Sequence, residues 1–299
     1  MNNPKQPRKL PDFLCIGAQR SGTSWLYENL RAHPHAWLPP IKEIQYFNSL
    51  DKPLRRKLNV YFRHLRGRIL DDFHEKRPLA NLSWDIRYFL GRRSDDWYKG
   101  LFRPAANQVA GEISPDYAAL ELDEIEHIHK LNPKLKIIYL MRDPIERSWS
   151  GATKDLARQR RRHLEAVPDD ELLKKLSGPG TMARSNHILV LEKWSSIFGS
   201  GQIFIGFFDD VEKKPEELLG NIYRFLGLSN SADYIPANLD KKVNAAGEYK
   251  SPIPMRFQVP LAIQQIEQLR ALSKKFGGHA TQWLKRAQEV LDQVNSKGV

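Results

Sequence analysis

The chain has 299 residues, of which 41% are hydrophobic and 27% charged, a composition typical of an ordinary soluble domain with a large core. No apolar stretch approaches the ~20 residues that span a bilayer. The N-terminal sequence MNNPKQPRKLPDF lacks the apolar core of a secretory signal. A single cysteine, Cys15, excludes an internal disulfide and fits a reducing compartment. We therefore expect one domain over residues 1–299 in the cytoplasm.

The formal net charge of +12 predicts an anionic partner: a nucleotide, an acidic glycan, a lipid headgroup or a nucleic acid. Nothing resembles a zinc finger or an RNP strand, so no specific nucleic-acid binding is expected. The densest basic run, RQRRRH at 158–163, is expected to be a solvated helix face. The charge is also compatible with peripheral contact to an anionic membrane surface. Metal-ligand spacings such as C-x-x-C or H-E-x-x-H do not occur, so no metal is predicted.

Four continuous apolar runs predict strands buried on both faces of a parallel sheet. They are DFLCIGA (12–18), NQVAGEI (107–113), KLKIIYLM (134–141) and GQIFIGFF (201–208). Segments with apolar spacing near 3.6 residues predict helices at 24–33, 122–131, 145–164, 185–198 and 214–228. This alternation predicts a three-layer α/β sandwich with a central, mostly parallel sheet.

The predicted core covers about residues 11–230, and the remaining stretches decorate it. Segment 50–106 is rich in aromatic residues and arginine, and it is predicted to be an irregular insertion over the edge of the sheet. Prolines and a glycine, the last of them Pro260, predict a long loop over 229–260. A terminal helical hairpin is expected after it.

A phosphate-binding loop is predicted at GAQRSGTS, residues 17–24, between the first strand and the first helix. Its two glycines let backbone N–H groups approach an anion closely, and the helix N-terminus adds its dipole. In the triphosphate-binding version, lysine follows the second glycine. Here Thr23 has that place, and the loop's long cation is Arg20. Hydroxyl donors to the same anion are Ser21, Thr23 and Ser24.

A second anion site is predicted in YLMRDPIERSWSGATKD. Arg142 ends a buried strand, where side chains face the ligand crevice of an open α/β sheet. The Asp-Pro pair 143–144 then suits the N-cap and first position of a helix, and Ser150 follows about two turns later. The alternative is a structural ion pair, either between Arg142 and Asp143 or between an arginine and Glu146, which is plausible for Arg147 and less so for Arg142. Two anion sites predict a ligand with phosphates at both ends.

Together these residues resemble the sulfotransferase family, which uses 3′-phosphoadenosine 5′-phosphosulfate (PAPS) as sulfuryl donor. RSGTSW at 20–25 matches the family's 5′-phosphosulfate loop, [K/R]-S-G-T-[T/S]-W. Arg142 and Ser150 match its 3′-phosphate element, an arginine after a strand and a serine eight residues later. FFDDVEKKPEELLGNIYRFLGL resembles the family's C-terminal segment, so the resemblance covers about residues 11–230.

Two further segments resemble the glycan O- and N-sulfotransferases and their bacterial relatives. IKEIQYFN at 41–48 is similar to their K-E-[VI]-H-[FY]-F element, and GEISPDY at 111–117 to E-K-[ST]-P-x-Y. Gln45 replaces the usual histidine and Ile113 the usual lysine, which leaves the acceptor class open between carbohydrate, lipid and small alcohol. An anchor-free chain of this kind is expected to be a bacterial enzyme.

The resemblance implies a role for each matched donor-site residue. Arg20 would stabilise the bridging oxygen of the phosphosulfate by charge-assisted hydrogen bonds, since arginine does not give up its proton. Ser21, Gly22, Thr23 and Ser24 would hold the phosphosulfate, and Arg142 with Ser150 the 3′-phosphate. Trp25 would contact adenine, with helix–core packing as the alternative. No metal would be required.

The resemblance also implies that Glu43 is the general base that takes the proton of the acceptor hydroxyl or amine. The alternative is a surface patch with Lys42. Glu112 and His187 are further candidates for the base, against a strand-end structural carboxylate and a helix-face histidine without a ligand role.

Two other functional classes stay open at this point. The first is a nucleotide kinase or other triphosphate-binding enzyme, against which stand Thr23 in place of lysine and Arg142 ahead of the expected acid. The second is a non-catalytic anion-binding module of the same fold, against which stands the joint presence of Arg20 and Glu43.

Overall fold

The computed structural model describes residues 9–49, 61–62, 64–67, 82–160, 167–237, 239 and 252–296. Its centre is a five-stranded sheet, all of whose strands are parallel, in the order β2-β3-β1-β4-β5. The strands are β1 Phe13–Gly17, β2 Ala36–Trp37, β3 Val109–Ile113, β4 Lys136–Met141 and β5 Ile203–Phe207. The predicted α/β class and parallel sheet are confirmed.

Four strands lie within the predicted runs, and the fifth, β2, was missed by the sequence analysis. It has only two residues, Ala36 and Trp37, which pair with Val109 and Ala110 at the edge of the sheet. A segment this short shows no periodicity of its own. Its strand conformation depends on the neighbouring strand β3.

Helices cover both faces of the sheet. The α-helices of the described residues are Thr23–Ala32, Leu82–Leu90, Asp95–Lys99, Leu122–Leu131, Pro144–Arg160, Asp169–Leu176, Pro179–Ser185, His187–Ile197, Phe208–Lys213, Pro215–Leu226, Met255–Phe276 and Gly278–Ser296. Short 3-10 helices lie at Phe47–Ser49, Pro115–Ala119, Ser200–Gln202 and Ala232–Tyr234. The five helices predicted between and after the strands are all present. Their described ends lie within two residues of the predicted ones, and the predicted end of helix 145–164 lies outside the described residues.

The sheet separates two apolar cores, which makes the fold three-layered as predicted. One core packs Leu26 and Leu30 of helix 23–32 with Leu219 and Ile222 of helix 215–226. The other contains residues from helices 122–131, 187–197, 255–276 and 278–296. Cys15 lies wholly buried in β1, and burial raises the pKa of its thiol to about 12, so it acts as a small apolar residue.

The boundary of the long loop after 229 was predicted too far along the chain. Pro260 is the sixth residue of helix Met255–Phe276 and does not lie in the loop. Its missing N–H removes one helical hydrogen bond, to the carbonyl of Arg256. Phe257 and Leu261, 2% and 1% exposed, bury the apolar face on either side and stabilise the helix through packing.

Some predictions concern residues that the structure does not describe. The side chains of the basic run 158–163 and much of the insertion 50–106 lie outside the described residues. Within the described part, no helix has the length and apolarity needed to cross a membrane. The cytoplasmic location and bacterial origin stay predictions.

Candidate active site

The site lies at the carboxyl edge of the sheet, where the ends of parallel strands meet. The loop after β1 leads into helix Thr23–Ala32, and the backbone geometry of the loop requires glycine at position 22. Gly22 has a left-handed φ of +86°, and a Cβ there would lie 3.0 Å from the Val211 Cγ2 atom. The Ser21 hydroxyl oxygen is buried and has no hydrogen-bond partner among the described residues. A buried polar atom of this kind fits a loop that holds an anion.

Arg20 joins the two predicted anion sites. Its Nε donates to the Ser150 hydroxyl oxygen at 2.9 Å, and its carbonyl oxygen accepts from the Nη1 of Arg142 at 3.1 Å. Burial lowers the pKa of Arg20, and the nearby positive charge of Arg142 lowers it further. The residues of both motifs therefore converge on one strongly cationic place.

The side chain of Arg142, which directly follows β4, is fixed by contacts with Phe208 and Glu146. Its guanidinium lies 4.6 Å above the ring of Phe208, and its Nη2 and Nε donate to the Glu146 Oε2 atom at 3.0 and 3.2 Å. The expectation that Arg147 is the better partner for Glu146 was wrong. Arg142 lies just before helix Pro144–Arg160, and Glu146 in the first turn of that helix comes close enough to pair with it. Arg147 points into the protein, where its Nε donates to the Ser185 hydroxyl at 2.6 Å.

Lys42 lies outside the loop, but its ammonium contacts the loop, and the sequence analysis did not predict this contact. Its Nζ donates to the Ser24 hydroxyl at 2.9 Å and lies 3.4 Å from the Thr23 hydroxyl oxygen. Burial lowers the pKa of Lys42, while the negative charge of Glu43 opposes this. In the sequence Lys42 stands 18 residues from Ser24, so no spacing rule linked the two. Its position next to Glu43 in the IKEIQYFN element was the available signal.

Glu43 lies beside this loop with its carboxylate held on two sides. Its Oε1 is 3.8 Å from the Lys42 Nζ, and its Oε2 accepts from the Gln45 Nε2 at 3.2 Å. The same Gln45 nitrogen donates to the Asp116 Oδ2 at 3.1 Å. The side chain of Glu43 is 26% exposed, which leaves it accessible from solvent. A carboxylate in this position can accept a proton from a group that binds next to the loop.

Three of these residues have strained backbones. Arg20, Glu43 and Gln45 have φ values of 72°, 64° and 53°, in the left-handed region that residues with a Cβ rarely adopt. Such strain persists where surrounding contacts fix the chain, and it is concentrated at functional sites. For Glu43 one such contact is the hydrogen bond from its N–H to the Ile113 carbonyl at 3.1 Å.

Glu112 is enclosed within the core. It is 1% exposed, and its carboxylate accepts from the hydroxyls of Ser114 and Tyr98, each at 2.5 Å, and of Tyr117 at 2.8 Å. Burial raises its pKa. The Tyr117 hydroxyl in turn accepts from the Tyr46 N–H at 2.9 Å, so the cluster supports the segment that carries Glu43. This geometry supports the structural interpretation of Glu112.

His187 is fully buried with both ring nitrogens engaged. Its Nδ1 lies 2.7 Å from the Tyr139 hydroxyl and its Nε2 2.7 Å from the Arg142 carbonyl oxygen, to which it donates. Burial lowers its pKa to about 4, so the ring is neutral. We assign it to support of the Arg142 backbone, because no ring nitrogen is left to accept a substrate proton.

Trp25 lies in the core between the sheet and helix 215–226. It is 5% exposed, and its indole N–H donates to the Leu239 carbonyl at 3.1 Å. This position supports the packing alternative. Contact with adenine stays a prediction.

The described residues contain no group of three or more metal-ligating side chains. The charge at the loop is instead carried by the ammonium and guanidinium groups described above and by a helix N-terminus. Such an arrangement can bind a ligand with two separated phosphate groups and stabilise negative charge that develops on one of them.

The all-parallel sheet, with the two predicted anion sites at its carboxyl edge, defines a P-loop-like α/β fold. The model of the sulfotransferase family matches residues 11–232, and the chain therefore belongs to the sulfotransferase family.

Among curated relatives, the bifunctional heparan sulfate N-deacetylase/N-sulfotransferase 1 of Mus musculus is 24% identical over 250 residues, covering 76% of this chain and 23% of the relative. The corresponding enzyme 4 of Mus musculus is 26% identical over 246 residues, with the same coverage. This chain thus spans about a quarter of the length of these relatives. The crystal structure of a sulfotransferase from Alicyclobacillus acidocaldarius superposes with a TM-score of 0.61 at 20% identity, covering 92% of this chain and 98% of the other. This likeness confirms the fold.

Proposed function

We propose that the protein transfers the sulfuryl group of PAPS to a hydroxyl or amine of an acceptor and releases 3′-phosphoadenosine 5′-phosphate (PAP). The observation that carries the proposal is the junction of Arg20, Ser150 and Arg142, which joins the strand-end arginine to the loop. PAPS has a phosphosulfate at its 5′ end and a phosphate at its 3′ end. In this proposal Arg142 and Ser150 hold the 3′-phosphate.

The 5′-phosphosulfate would lie against the loop. Donors to it are Ser21, whose hydroxyl is otherwise unpaired among the described residues, the backbone at Gly22, and the hydroxyls of Thr23 and Ser24. Lys42 and Arg20 bring a cation from either side of the loop. Trp25 would support the adenine end of the site from the core below.

In the transfer step the acceptor oxygen or nitrogen forms a bond to sulfur as the bond from sulfur to the bridging oxygen breaks. The proton of the acceptor goes to Glu43, and the electron pair of the broken bond stays on PAP. Arg20 and Lys42 stabilise this leaving group by charge-assisted hydrogen bonds that strengthen as its negative charge grows. These fixed cations make a divalent metal unnecessary in the proposed mechanism.

For the acceptor we propose a carbohydrate, with a lipid as the second candidate. The names of the curated relatives refer to heparan sulfate, and IKEIQYFN and GEISPDY resemble the glycan-modifying branch. The net charge of +12 favours an anionic glycan over a neutral one. The triphosphate-enzyme alternative has no comparable support, because the family model that matches residues 11–232 is that of the sulfotransferases.

The test uses the full chain, with EDTA present in the PAP, PAPS and sulfate-transfer measurements and without EDTA in the measurement with ATP and Mg²⁺. PAP and PAPS should raise the melting temperature, ATP with Mg²⁺ should not, and labelled sulfate should pass from PAPS to at least one member of a panel of glycans, glycolipids and alcohols. An absolute requirement for a divalent ion, or stabilisation by ATP with Mg²⁺ alone, would favour a kinase. Donor binding without transfer to any acceptor would favour a non-catalytic module.

A further inference from the structure

Glu146 lies between two arginines, one four residues before it in the chain and one in the C-terminal helix. Its Oε2 accepts from Arg142, with nitrogen–oxygen distances of 3.0 and 3.2 Å, and its Oε1 is 3.8 Å from the Nη2 of Arg286. Arg286 belongs to helix Gly278–Ser296, which lies outside the matched residues 11–232. The family motifs therefore do not include Arg286.

Arg286 is fixed by a second carboxylate. Its Nη2 donates at 2.9 Å to the Oδ2 of Asp143, whose side chain is only 5% exposed. The Oδ1 of Asp143 accepts from the Ile145 N–H at 2.9 Å and so caps the helix that follows Arg142. Burial, and then the charge of Glu146, raise the pKa of Asp143 to about 6, although Arg286 opposes both effects. Arg286 is thus held beside the first turn of helix Pro144–Arg160.

A phosphate at Arg142 has to compete with Glu146. The guanidinium of Arg142 directs its Nε and Nη2 at the Glu146 carboxylate, and these are donors that a bound phosphate would need. The negative charge of Glu146 would also repel the phosphate. The side chain of Glu146 is 42% exposed and can turn, and Arg286, 47% exposed, offers a second cation for it. The Glu146 carboxylate needs only a small movement to pair with Arg286, because its Oε1 already lies 3.8 Å from the Arg286 Nη2.

We propose that Arg286 is a positioning residue of the donor site. When the 3′-phosphate binds Arg142, the Glu146 carboxylate leaves Arg142 and pairs with Arg286. The proposal rests on the proposed function, because it requires a phosphate at Arg142. It assigns the C-terminal helical hairpin a part in donor binding.

The test is a double-mutant cycle on PAP affinity, measured by calorimetry with the full chain in EDTA. Arg286→Ala should weaken PAP binding about three- to five-fold, the scale of a partly exposed ion pair. Glu146→Gln should strengthen binding, because the competing charge is gone. The double variant should bind PAP as Glu146→Gln does. Arg286→Lys, which keeps the charge but not the forked geometry, should lie between wild type and Arg286→Ala.

The control is Lys285→Ala, which removes the same charge from the neighbouring position. Lys285 is 70% exposed and pairs with Glu289, so its loss should leave PAP affinity unchanged. An equal loss of affinity from Arg286→Ala in both backgrounds would show a direct charge effect on the ligand and would overturn the proposal. So would an unchanged affinity, or a loss that follows the melting temperature and is not restored by Glu146→Gln. Failure of the wild-type chain to bind PAP would instead contradict the proposed function.

Discussion

The ammonium of Lys42 lies 2.9 Å from the Ser24 hydroxyl and 3.4 Å from that of Thr23. Thr23 occupies the position that lysine has in a triphosphate-binding loop. Lys42, from another segment of the chain, places a cation beside that position. Arg20, the cation of the loop itself, is turned towards Ser150. The loop is therefore flanked by two cations, of which the loop sequence supplies one.

Lys42→Ala should lower turnover about 10²-fold, the scale of losing one charge-stabilising donor in a transition state. Lys42→Arg should recover part of the rate because it restores the charge. Steady-state sulfate transfer from PAPS measures both. Lys193→Ala is the matched control, since that side chain has the same 21% exposure but pairs with Glu121 away from the loop. Equal rates for Lys42→Ala and this control would exclude Lys42 from the reaction.

Arg20→Ala should lower turnover far more than PAP affinity, because its main interaction grows as the leaving oxygen gains charge. Arg20→Lys should keep appreciable activity, as lysine is the more usual residue at this place in the resembling family. Turnover and PAP binding are measured on the same preparations. A change in donor affinity alone would contradict the catalytic role.

Glu43→Gln should reduce sulfuryl transfer by about 10²–10⁴-fold, the usual loss when a general base is removed. The amide keeps the size of the side chain, so PAP affinity and melting temperature should stay near those of the wild type. The exposed Glu126, on helix 122–131, gives the control Glu126→Gln, for which no change is expected. Full turnover by Glu43→Gln would refute the assignment and direct the search to Asp116.

Arg142→Ala should weaken PAP binding by roughly 1.5–3 kcal/mol, the range for a hydrogen bond to a charged group, and Ser150→Ala by less. Calorimetry in EDTA measures both. Arg224→Ala, which removes an exposed arginine bonded to Asn221, should have no effect. If Ser150→Ala cost more than Arg142→Ala, the 3′-phosphate would not lie on Arg142.

His187 should make stability fall in acid. Its folded pKa, about 4, is below the ordinary 6.5, so the unfolded state takes up the proton first as the pH falls. Between pH 6.5 and 4 this lowers the free energy of unfolding by up to about 1.4 kcal/mol per pH unit. His187→Gln, which does not titrate, should remove that slope and keep most of the turnover. Urea denaturation of both proteins between pH 4.5 and 7 measures the difference.

Asp143 contributes with the opposite sign. Its folded pKa, about 6, is raised above the ordinary 3.8, so its contribution favours the folded state at low pH and is lost as the pH rises through that interval. Because it is present in both proteins, the comparison of His187→Gln with wild type isolates the histidine. Identical pH profiles for the two proteins would show that His187 accepts a proton in the folded state.

The sequence by itself determined the layers of the fold and predicted the location of the donor site. Long apolar runs in β1, β3, β4 and β5 predict buried strands, since a parallel sheet is covered on both faces. The loop at 17–24 and the Arg142 element follow strands directly. Their place at the carboxyl edge therefore follows from strand direction alone.

Only the tertiary structure decided which side chains meet. Lys42 and Arg286 come from segments whose local sequence has no relation to the loop or to β4, and the sheet and the C-terminal hairpin bring them there. Glu112 and Glu43 are both glutamates in elements that resemble family motifs, yet one is enclosed by three hydroxyls and the other is accessible. Local patterns report the period of burial along one element, whereas proton affinity and ion pairing depend on what distant elements place around a group.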